Sequence, residues 1–249
     1  MKTIYLDGQY LKVAPQTVDA FTPGNFKAKG VFETMLGVDG AVLDTALHLK
    51  RLQAGLKVLN IKAPRIDPLV LREILRRNQL SCARVRLMVW QAGREVHVMG
   101  AALPYKIPGN KNYRVGLVKT DRAAGSRWAN VKSLDYGLFA EAFSQAHKQG
   151  YDEVLLLNRS GYIFEASRAN IFWVKDKILY TPPLSSGCLN GITRQQVIRQ
   201  ARNLKIIVKE KNLTTGILKD ADAAFLTNSL IGIKPIELIW ISKISIYRK

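Results

Sequence analysis

The sequence predicts a mixed α/β fold divided into two domains. Runs of alternating apolar and polar residues, typical of strands, are interspersed with apolar residues at helical spacing. The chain has 249 residues, which exceeds the usual length of one domain. Residues 120–130 carry few large apolar side chains and are interpreted as an interdomain connection. We therefore expect a small N-terminal α/β domain over 1–119 and a larger C-terminal domain of mixed strands with helices over 120–249.

Two β-hairpins are predicted near the start of the chain. The dipeptides Asp7-Gly8 and Asp39-Gly40 each separate two strand-like runs. An Asp-Gly pair favours a tight hairpin turn because both residues tolerate positive φ. Residues 14–29, between the hairpins, contain two prolines and one glycine and are predicted to be mostly loop. The chain thus opens with a sheet.

Helices and further strands follow. Asp44 or Thr45 can cap a helix in which leucines recur at helical spacing. A proline after Asp67 suits the first turn of a second helix, because proline lacks a donor that this turn leaves unused. The remaining predicted strands are 83–90, 95–100, 113–119, 152–157, 162–164, 171–174, 178–181 and 206–209, and the remaining helices are 138–149 and 194–204.

The net charge is the unusual feature of the composition. The chain has 38 basic and 19 acidic residues, which give a net charge of +19. Such an excess can indicate nucleic-acid binding. The basic residues are dispersed, however, and do not alternate with aromatic residues as in a nucleic-acid platform. We expect no specific nucleic-acid partner, since an anionic substrate and an anionic cofactor account for the charge equally well.

Several classes of protein are disfavoured by residue usage. Two distant cysteines, Cys82 and Cys188, form neither a metal-binding pair nor a disulfide framework, and three scattered histidines offer little for a metal site. No apolar run is long enough to cross a bilayer, and Asp7 interrupts any export-type apolar start. We expect a cytoplasmic protein with no metal and no membrane partner.

Four segments in the second half carry candidate chemical groups. Each is ordinary by itself, since a single lysine or glutamate is usually a solvated surface charge. In chain order the segments are 129–136 with Lys132 and Tyr136, 164–172 with Glu165, 190–194 with Gly191, Ile192 and Thr193, and 226–230 with Asn228 and Ser229.

Together with residues 30–35 and 48–52, these segments resemble in content and order the class IV, or fold-type IV, family of pyridoxal-phosphate enzymes. Its members include branched-chain aminotransferases, D-amino acid aminotransferases and 4-amino-4-deoxychorismate lyases. The resemblance extends from about Phe26 to Ile236, nearly the whole chain. It implies the two-domain fold of the D-amino acid aminotransferase type, pyridoxal 5′-phosphate as cofactor, a small anionic substrate with an amino group, and a homodimer.

The resemblance implies roles for three residues around the cofactor ring. Lys132 would bond the cofactor covalently and shuttle the α-proton of the substrate; desolvation would lower the pKa of such a lysine, with Val131 and Leu134 as apolar walls. Glu165 would face the pyridine nitrogen and keep it protonated. Tyr136 would hydrogen-bond the phenolic oxygen, although it can also be a half-buried aromatic residue on a strand.

The cofactor phosphate would require several donors. Gly191, Ile192 and Thr193 precede a predicted helix and offer backbone amides and a hydroxyl at the positive end of its dipole. Helix capping by Thr193 is a compatible alternative. In the resemblance Arg51 reaches the same phosphate, for which a planar charged fork is suited, although it can also be a solvated helix charge. Asn228 and Ser229 would add side-chain donors.

Three residues are substrate candidates. Arg86, on a strand with one charged face, would bind the substrate carboxylate, although surface solvation is an alternative. Thr34 lies in the segment 30–35 that carries the resemblance. Lys27 stands where the family commonly has an active-site tyrosine, which favours a more anionic ligand. The chain also stops at 241–249, where relatives usually continue into a strand and helix, and weaker packing is expected there.

The reaction is predicted from the motif at 228–230. Asn-Ser-Leu is similar to 4-amino-4-deoxychorismate lyases, whereas aminotransferases more often have Gly-Thr-Ala or Ser-Thr-Thr there. The favoured expectation is therefore a lyase that releases pyruvate and leaves 4-aminobenzoate, a step of folate biosynthesis. The alternatives are a branched-chain or D-amino acid aminotransferase and a noncatalytic basic binding protein on the same fold. Lys132 and Glu165 together argue against the last.

Overall fold

The computed structural model describes residues 1–121, 128–237 and the backbone of 242–243. Residues 122–127 of the predicted connection over 120–130, and residues 238–241 and 244–249 near the chain end, lie outside the described residues. Tertiary contacts divide the chain into two compact units: unit 1 contains Met1–Ile107 and Val131–Gly137, and unit 2 contains Pro108–Asn130 and Leu138–Lys249. This division is not the single boundary after 119 that we expected from the sequence. The role of each unit as a functional domain stays a prediction.

Unit 1 is a six-stranded antiparallel sheet with helices. The strands have the order β2-β1-β6-β5-β3-β4. Both Asp-Gly hairpins are confirmed, with Asp7 and Asp39 at φ of 47° and 48°. The elements are β1 (Lys2–Leu6), β2 (Gln9–Val13), α1 (Pro15–Ala20), β3 (Lys29–Val38), β4 (Ala41–Val42), α2 (Thr45–Val58), α3 (Leu69–Arg77), β5 (Cys82–Ala92) and β6 (Glu95–Pro104).

The expectation that 14–29 is mostly loop misses α1. Pro15 occupies the first turn of this helix, where its missing N–H is not needed, and Val18 is buried in the core beneath it. A helix of six residues is too short for hydrophobic periodicity to identify it.

The two faces of the sheet in unit 1 are distinct. Alternate residues of β3 point to opposite faces, as in any strand. Val31 and Met35 pack with leucines of α2 and α3, including Leu52 and Leu75. Phe32 belongs to a separate cluster on the other face, together with Met88, Trp90, Met99 and Leu134. Adjacent residues of β3 therefore pack into two different clusters, one beneath the helices α2 and α3 and one on the opposite face of the sheet.

The described residues of unit 2 form two sheets and three α-helices. One sheet has the order β12-β11-β10-β13-β14 and the other β15-β7-β8-β9. The elements are β7 (Val115–Lys119), α4 (Gly137–Lys148), β8 (Glu153–Leu157), β9 (Ile163–Ala166), β10 (Asn170–Lys175), β11 (Ile178–Thr181), a 3₁₀ turn (Leu184–Ser186), α5 (Ile192–Asn203), β12 (Val208–Glu210), α6 (Thr215–Lys219), β13 (Ala223–Asn228), β14 (Gly232–Pro235) and β15 (Ser242–Lys243).

The core of unit 2 connects its two sheets. Leu155 and Ile163 from one sheet and Ile171, Trp173 and Leu226 from the other form one buried cluster. The predicted hairpin across 175–177 is confirmed, with positive φ in its turn. The mixed α/β fold class is thus confirmed. Within the described parts of the chain, no helix is both long and apolar enough to cross a membrane.

Candidate functional site

Lys132 lies on an extended segment of unit 1 that pairs with β3. The backbone N–H of Phe32 donates to the carbonyl of Lys132 (2.9 Å), and that of Leu134 donates to the carbonyl of Gly30 (3.0 Å). Gly30 permits this approach, because an added β-carbon would be 2.8 Å from Leu134 Cδ1 and closer still to the backbone of Val89. The segment that carries the lysine is therefore held by backbone hydrogen bonds to β3.

Two aromatic rings, those of Phe32 and Tyr136, lie near the side-chain amine of Lys132. Its Nζ is 4.5 Å from the ring centroid of Phe32 and 6.0 Å from that of Tyr136. The two rings meet edge to face, with centroids 5.3 Å apart. Leu134 is fully buried in the same cluster, whereas Val131 packs into the helical side of the sheet. The face of an aromatic ring attracts a cationic amine, so these two rings help to fix the end of the Lys132 side chain.

Arg51 lies in a buried ionic cluster of unit 1. Its Nε donates to Oε1 of Glu33 (2.8 Å) and its Nη2 to Oε2 of the same carboxylate. His48 Nδ1 lies 2.7 Å from Oε2, and both Glu33 and His48 are fully buried. Burial by itself would raise the pKa of Glu33, but the bonds and charge of Arg51, with a further bond from His48, hold it below its ordinary value.

Glu33 and His48 were not selected from the sequence as site residues. The available signal was the position of Glu33 between Val31 and Met35, where the alternation of the strand requires an apolar side chain. A charge at such a position needs a buried partner. Arg51 is thus held by a carboxylate of its own chain, and its predicted role at the cofactor phosphate stays a prediction.

Two of the three substrate candidates lie side by side. Thr34 on β3 and Arg86 on β5 are direct cross-strand partners, on the face that carries Phe32. Arg86 Nη1 donates to Oγ1 of Thr22 (3.2 Å). Both are partly buried, whereas the side chain of Lys27 is exposed.

Glu165 lies on β9 in unit 2 and is 6% exposed. Its Oε2 accepts a hydrogen bond from the backbone N–H of Leu189 (2.9 Å). Two residues on, the hydroxyl of Ser167 donates to the buried carboxyl of Glu153. Burial raises the pKa of Glu153. The side chains of Glu165 and of Ser167, which lies just beyond β9, are thus each fixed by a hydrogen bond.

The start of α5 forms a compact cradle of backbone donors. Gly191 is the N-cap residue, with extended backbone, and no side chain caps the helix. The amides of Ile192 and Thr193 therefore open a 12-residue helix at its positive end. An added β-carbon on Gly191 would lie 2.1 Å from Oδ1 of Asn170, so space rather than φ requires glycine here.

Asn228 ends β13, and Ser229 follows it in a turn. Oδ1 of Asn228 accepts from the amides of Leu230 (2.8 Å) and Ile231 (2.9 Å), and Nδ2 donates to the carbonyl of Arg168 (3.0 Å). Asn228 therefore shapes the turn, and its predicted contact with phosphate is not tested. Ser229 follows in this turn and is partly buried.

The mixed α/β fold matches that of the fold-type IV enzymes, which depend on pyridoxal phosphate. The family model for class IV amino-transferases matches residues 30–239, so the chain belongs to that family.

One curated relative and three solved structures illustrate the similarity. A Methanocaldococcus jannaschii protein, provisionally assigned as a branched-chain-amino-acid aminotransferase, is 34% identical over 250 residues, which cover 94% of this chain and 86% of the relative. The branched-chain amino acid aminotransferase of Escherichia coli has a TM-score of 0.81 at 27% identity, covering 94% of this chain and 85% of that one.

The other two structures concern the cofactor and the reaction. A branched-chain amino acid aminotransferase of T.th. with pyridoxamine 5′-phosphate has a TM-score of 0.77 at 27% identity and covers 94% of this chain and 84% of that one. A Legionella pneumophila protein, provisionally assigned as a 4-amino-4-deoxychorismate lyase, has a TM-score of 0.78 at 27% identity, covering 84% of this chain and 82% of that one.

The residues of unit 2 fit the phosphate and ring nitrogen of the cofactor. The cradle at Gly191 leaves backbone amides without helical partners, as phosphate binding requires. Two buried polar atoms beside it, Oγ1 of Thr227 and Nε of Arg194, have no hydrogen-bond partner among the described residues. The carboxylate of Glu165 is of the type that pairs with a protonated ring nitrogen. Across the same described ranges, no cluster of residues suited to a metal ion is found.

Proposed function

We propose that this protein is an aminotransferase that moves the amino group of an apolar, branched-chain type of amino acid to a 2-oxo acid. The observation that carries the proposal is the 34% identity to the M. jannaschii relative over 94% of this chain. The E. coli aminotransferase supports it at a TM-score of 0.81. This reading replaces the lyase as the first choice, since a motif of three residues weighs less than similarity along the whole chain.

Lys132 is proposed as the group that moves the proton. When bound, pyridoxal phosphate withdraws electrons from the bonds at the α-carbon of the substrate. Nζ of Lys132 takes the α-proton and releases it again on the cofactor side. The rings of Phe32 and Tyr136 at 4.5 and 6.0 Å support this role, because contact with them fixes the position of the amine, and a general base must be positioned to act. Tyr136 is also the proposed donor to the phenolic oxygen.

Glu165 and the cradle are proposed to bind the cofactor. Glu165 keeps the ring nitrogen protonated, supported by its burial and by the amide of Leu189 that orients its carboxylate. The amides of Ile192 and Thr193 bind the phosphate at the start of α5, and Gly191, without a side chain, allows its close approach. Arg51, Asn228 and Ser229 are proposed as additional phosphate donors.

Thr34 and Arg86 are proposed to bind the substrate carboxylate, with Lys27 near the entrance. A guanidinium next to a hydroxyl offers donors for both carboxylate oxygens. The same sheet face carries an aromatic cluster in which Phe26 lies 5.1 Å from Phe21 and 5.2 Å from Trp90, measured between ring centroids. Such a cluster favours an apolar substrate side chain.

The assembly and location are proposed by analogy. We expect a homodimer in the cytoplasm, and both cysteines, Cys82 and Cys188, are free thiols in the structure, as a reducing compartment would require. Light scattering of the purified protein measures the first expectation, and a monomer at all concentrations would contradict it.

The test uses a half reaction, which separates the two reaction types. Purified enzyme loaded with pyridoxal phosphate is mixed with leucine, isoleucine or valine without a 2-oxo acid. An aminotransferase converts the cofactor to pyridoxamine 5′-phosphate and releases one equivalent of the 2-oxo acid. No conversion with any of these amino acids, or with D-alanine, would contradict transamination.

Lys132→Ala is the matched catalytic variant. We expect it to reduce the half reaction by about 10⁴-fold, the upper range for loss of a general acid–base group. Borohydride reduction followed by peptide mapping should label Lys132 in the wild type only. Lys12→Ala, at an exposed position of β2, is the control and should retain wild-type labelling and rate. Full turnover by Lys132→Ala would contradict its assignment.

The second candidate function is the 4-amino-4-deoxychorismate lyase. It is favoured by Asn228, Ser229 and Leu230 and by the structural similarity to the L. pneumophila protein, with a TM-score of 0.78. A lyase would release pyruvate and 4-aminobenzoate from aminodeoxychorismate and leave the cofactor in its aldehyde form. The same loaded enzyme is therefore offered this substrate, and 4-aminobenzoate is measured by fluorescence.

A further inference from the structure

The backbone of Leu189 connects two groups that are proposed to bind the cofactor. Its N–H donates to Oε2 of Glu165 (2.9 Å), and its carbonyl accepts from the backbone N–H of Gly191 (2.9 Å). Glu165 is the proposed partner of the ring nitrogen, and Gly191 opens the proposed phosphate cradle. Within unit 2, the backbone of one residue thus links Glu165 to the first residue of the cradle.

The side chain of Asn170 also binds the backbone of Leu189. Its Nδ2 donates to the carbonyl of Leu189 (2.7 Å), and its Oδ1 packs directly against Gly191, since an added β-carbon there would lie only 2.1 Å away. The side chain is buried, with 5% exposure. The backbone of Asn170 pairs with Thr227 in the antiparallel ladder of β10 and β13. A rigid strand therefore anchors an amide that contacts both the Leu189 carbonyl and the first residue of the cradle.

We infer that Asn170 is a positioning residue, which fixes the phosphate cradle relative to the carboxylate of Glu165. The inference rests on the cofactor roles proposed above for Glu165 and the cradle. Donors bind an anion best when they are already in place, because no affinity is then lost in ordering them. Without the Asn170 amide, the Leu189 carbonyl loses its side-chain donor, and Gly191 at the start of the cradle loses its packing contact with Oδ1. The phosphate should then contribute less to cofactor affinity.

The contribution of the phosphate is measured with two ligands that do not react with Lys132. Pyridoxine 5′-phosphate and pyridoxine lack the aldehyde, and their Kd values for the apoprotein are determined by titration calorimetry. The ratio of the Kd of pyridoxine to that of pyridoxine 5′-phosphate isolates the phosphate. In Asn170→Ala we expect this ratio to fall about tenfold, the effect of one hydrogen bond in a charged site. The Kd of pyridoxine should change by less than about threefold.

Thr181→Val is the matched control. The hydroxyl of Thr181 is buried on the neighbouring strand β11 and donates to the carbonyl of Ile171 (2.9 Å). Its removal deletes a buried hydrogen bond of the same sheet without touching Leu189 or Gly191. A purely structural effect would appear equally in both variants, so we expect an unchanged ratio in Thr181→Val. If Asn170→Ala does not fold, Asn170→Asp preserves the volume, removes the donor and should lower the ratio as well.

The outcomes separate this inference from the roles on which it rests. Gly191→Ala, measured in the same assay, tests the cradle itself. If Gly191→Ala lowers the ratio and neither Asn170 variant does, the positioning role of Asn170 is wrong and the cradle stands. If Gly191→Ala leaves the ratio at the wild-type value, the cradle assignment fails, and this inference fails with it. A ratio lowered equally in Thr181→Val would also overturn the inference.

Discussion

Glu33 in unit 1 and Glu153 in unit 2 are both buried carboxyl groups with opposite charge preferences. Arg51 donates two hydrogen bonds to Glu33, and these bonds and its charge lower the pKa of Glu33 despite the burial of the carboxylate. Around Glu153 the described hydrogen-bond donors are neutral, the hydroxyl of Ser167 and the amide of Val154, and burial raises its pKa. The comparison teaches that the partner, rather than burial, decides the charge state of a buried acid.

The two carboxyl groups also differ in what they support. Glu33 orients a cation that is a proposed phosphate ligand. Glu153 holds Ser167, two residues beyond Glu165, and so orients a strand rather than a charge. Replacement of each acid by its neutral amide should therefore have very different consequences.

Glu33→Gln should give the largest effect. The amide retains the volume of the side chain but removes the charge that compensates Arg51, whose side chain is only 14% exposed. Breaking one partner of a buried ion pair costs about 3–5 kcal/mol. Chemical denaturation at pH 7 measures the loss of unfolding free energy. A loss below about 1 kcal/mol would show that Arg51 does not need this carboxylate.

The pH dependence of stability should distinguish the two acids by sign. Glu33 has a lowered pKa in the folded state, so its contribution is present above its unfolded value, near 4.5, and is lost as pH falls through the folded pKa. Glu153 has a raised pKa, so its contribution is complete below 4.5 and is lost as pH rises through the folded pKa.

The measurement follows unfolding free energy from pH 4 to pH 8 in the wild type and in Glu153→Gln. As pH rises, the wild type should lose unfolding free energy relative to Glu153→Gln, by at most about 1.4 kcal/mol per pH unit for one proton. A difference independent of pH would mean that Glu153 stays charged or stays protonated in both states.

Glu153→Gln itself should have a modest effect at low pH. Below pH 4.5 a carboxyl with a raised pKa is mostly protonated, so a neutral amide replaces a neutral acid of nearly the same volume, and Oε1 can still accept from Ser167 and Val154. We expect a change of about 1 kcal/mol or less at pH 4, the value of one neutral hydrogen bond. The contrast with Glu33→Gln is the sharpest test of the comparison, and equal losses would contradict it.

Thr227→Val should give the smallest effect. The hydroxyl of Thr227 is 1% exposed and has no hydrogen-bond partner among the described residues, so it carries a desolvation cost in the apoprotein. Valine has nearly the same shape without that cost, and we expect a gain of up to about 1 kcal/mol in unfolding free energy. Thermal denaturation of the apoprotein measures it, and a loss of stability would indicate a bond made by this hydroxyl.

Local elements were predictable because neighbouring residues encode them. The Asp-Gly turns and the leucine repeat of α2 act within a few residues of chain. The helix α6 was not predicted, since its five residues are too few to show periodicity. The order of the strands in the sheets was not predicted either. It depends on pairing between strands that are distant in the sequence, which no local pattern specifies.

The sequence by itself determined the family, the cofactor and the candidate residues Lys132 and Glu165, because these are local motifs in a fixed order. Only the tertiary structure decided that Arg51 and His48 both bind the carboxylate of Glu33, which lies 18 and 15 residues away from them in the chain, respectively. It also decided that Leu189 and Asn170 link Glu165 to Gly191, across 24 and 19 residues for the two bonds to Leu189. The physical reason is that strand register and loop path, which no local pattern specifies, determine which polar groups meet when water is removed.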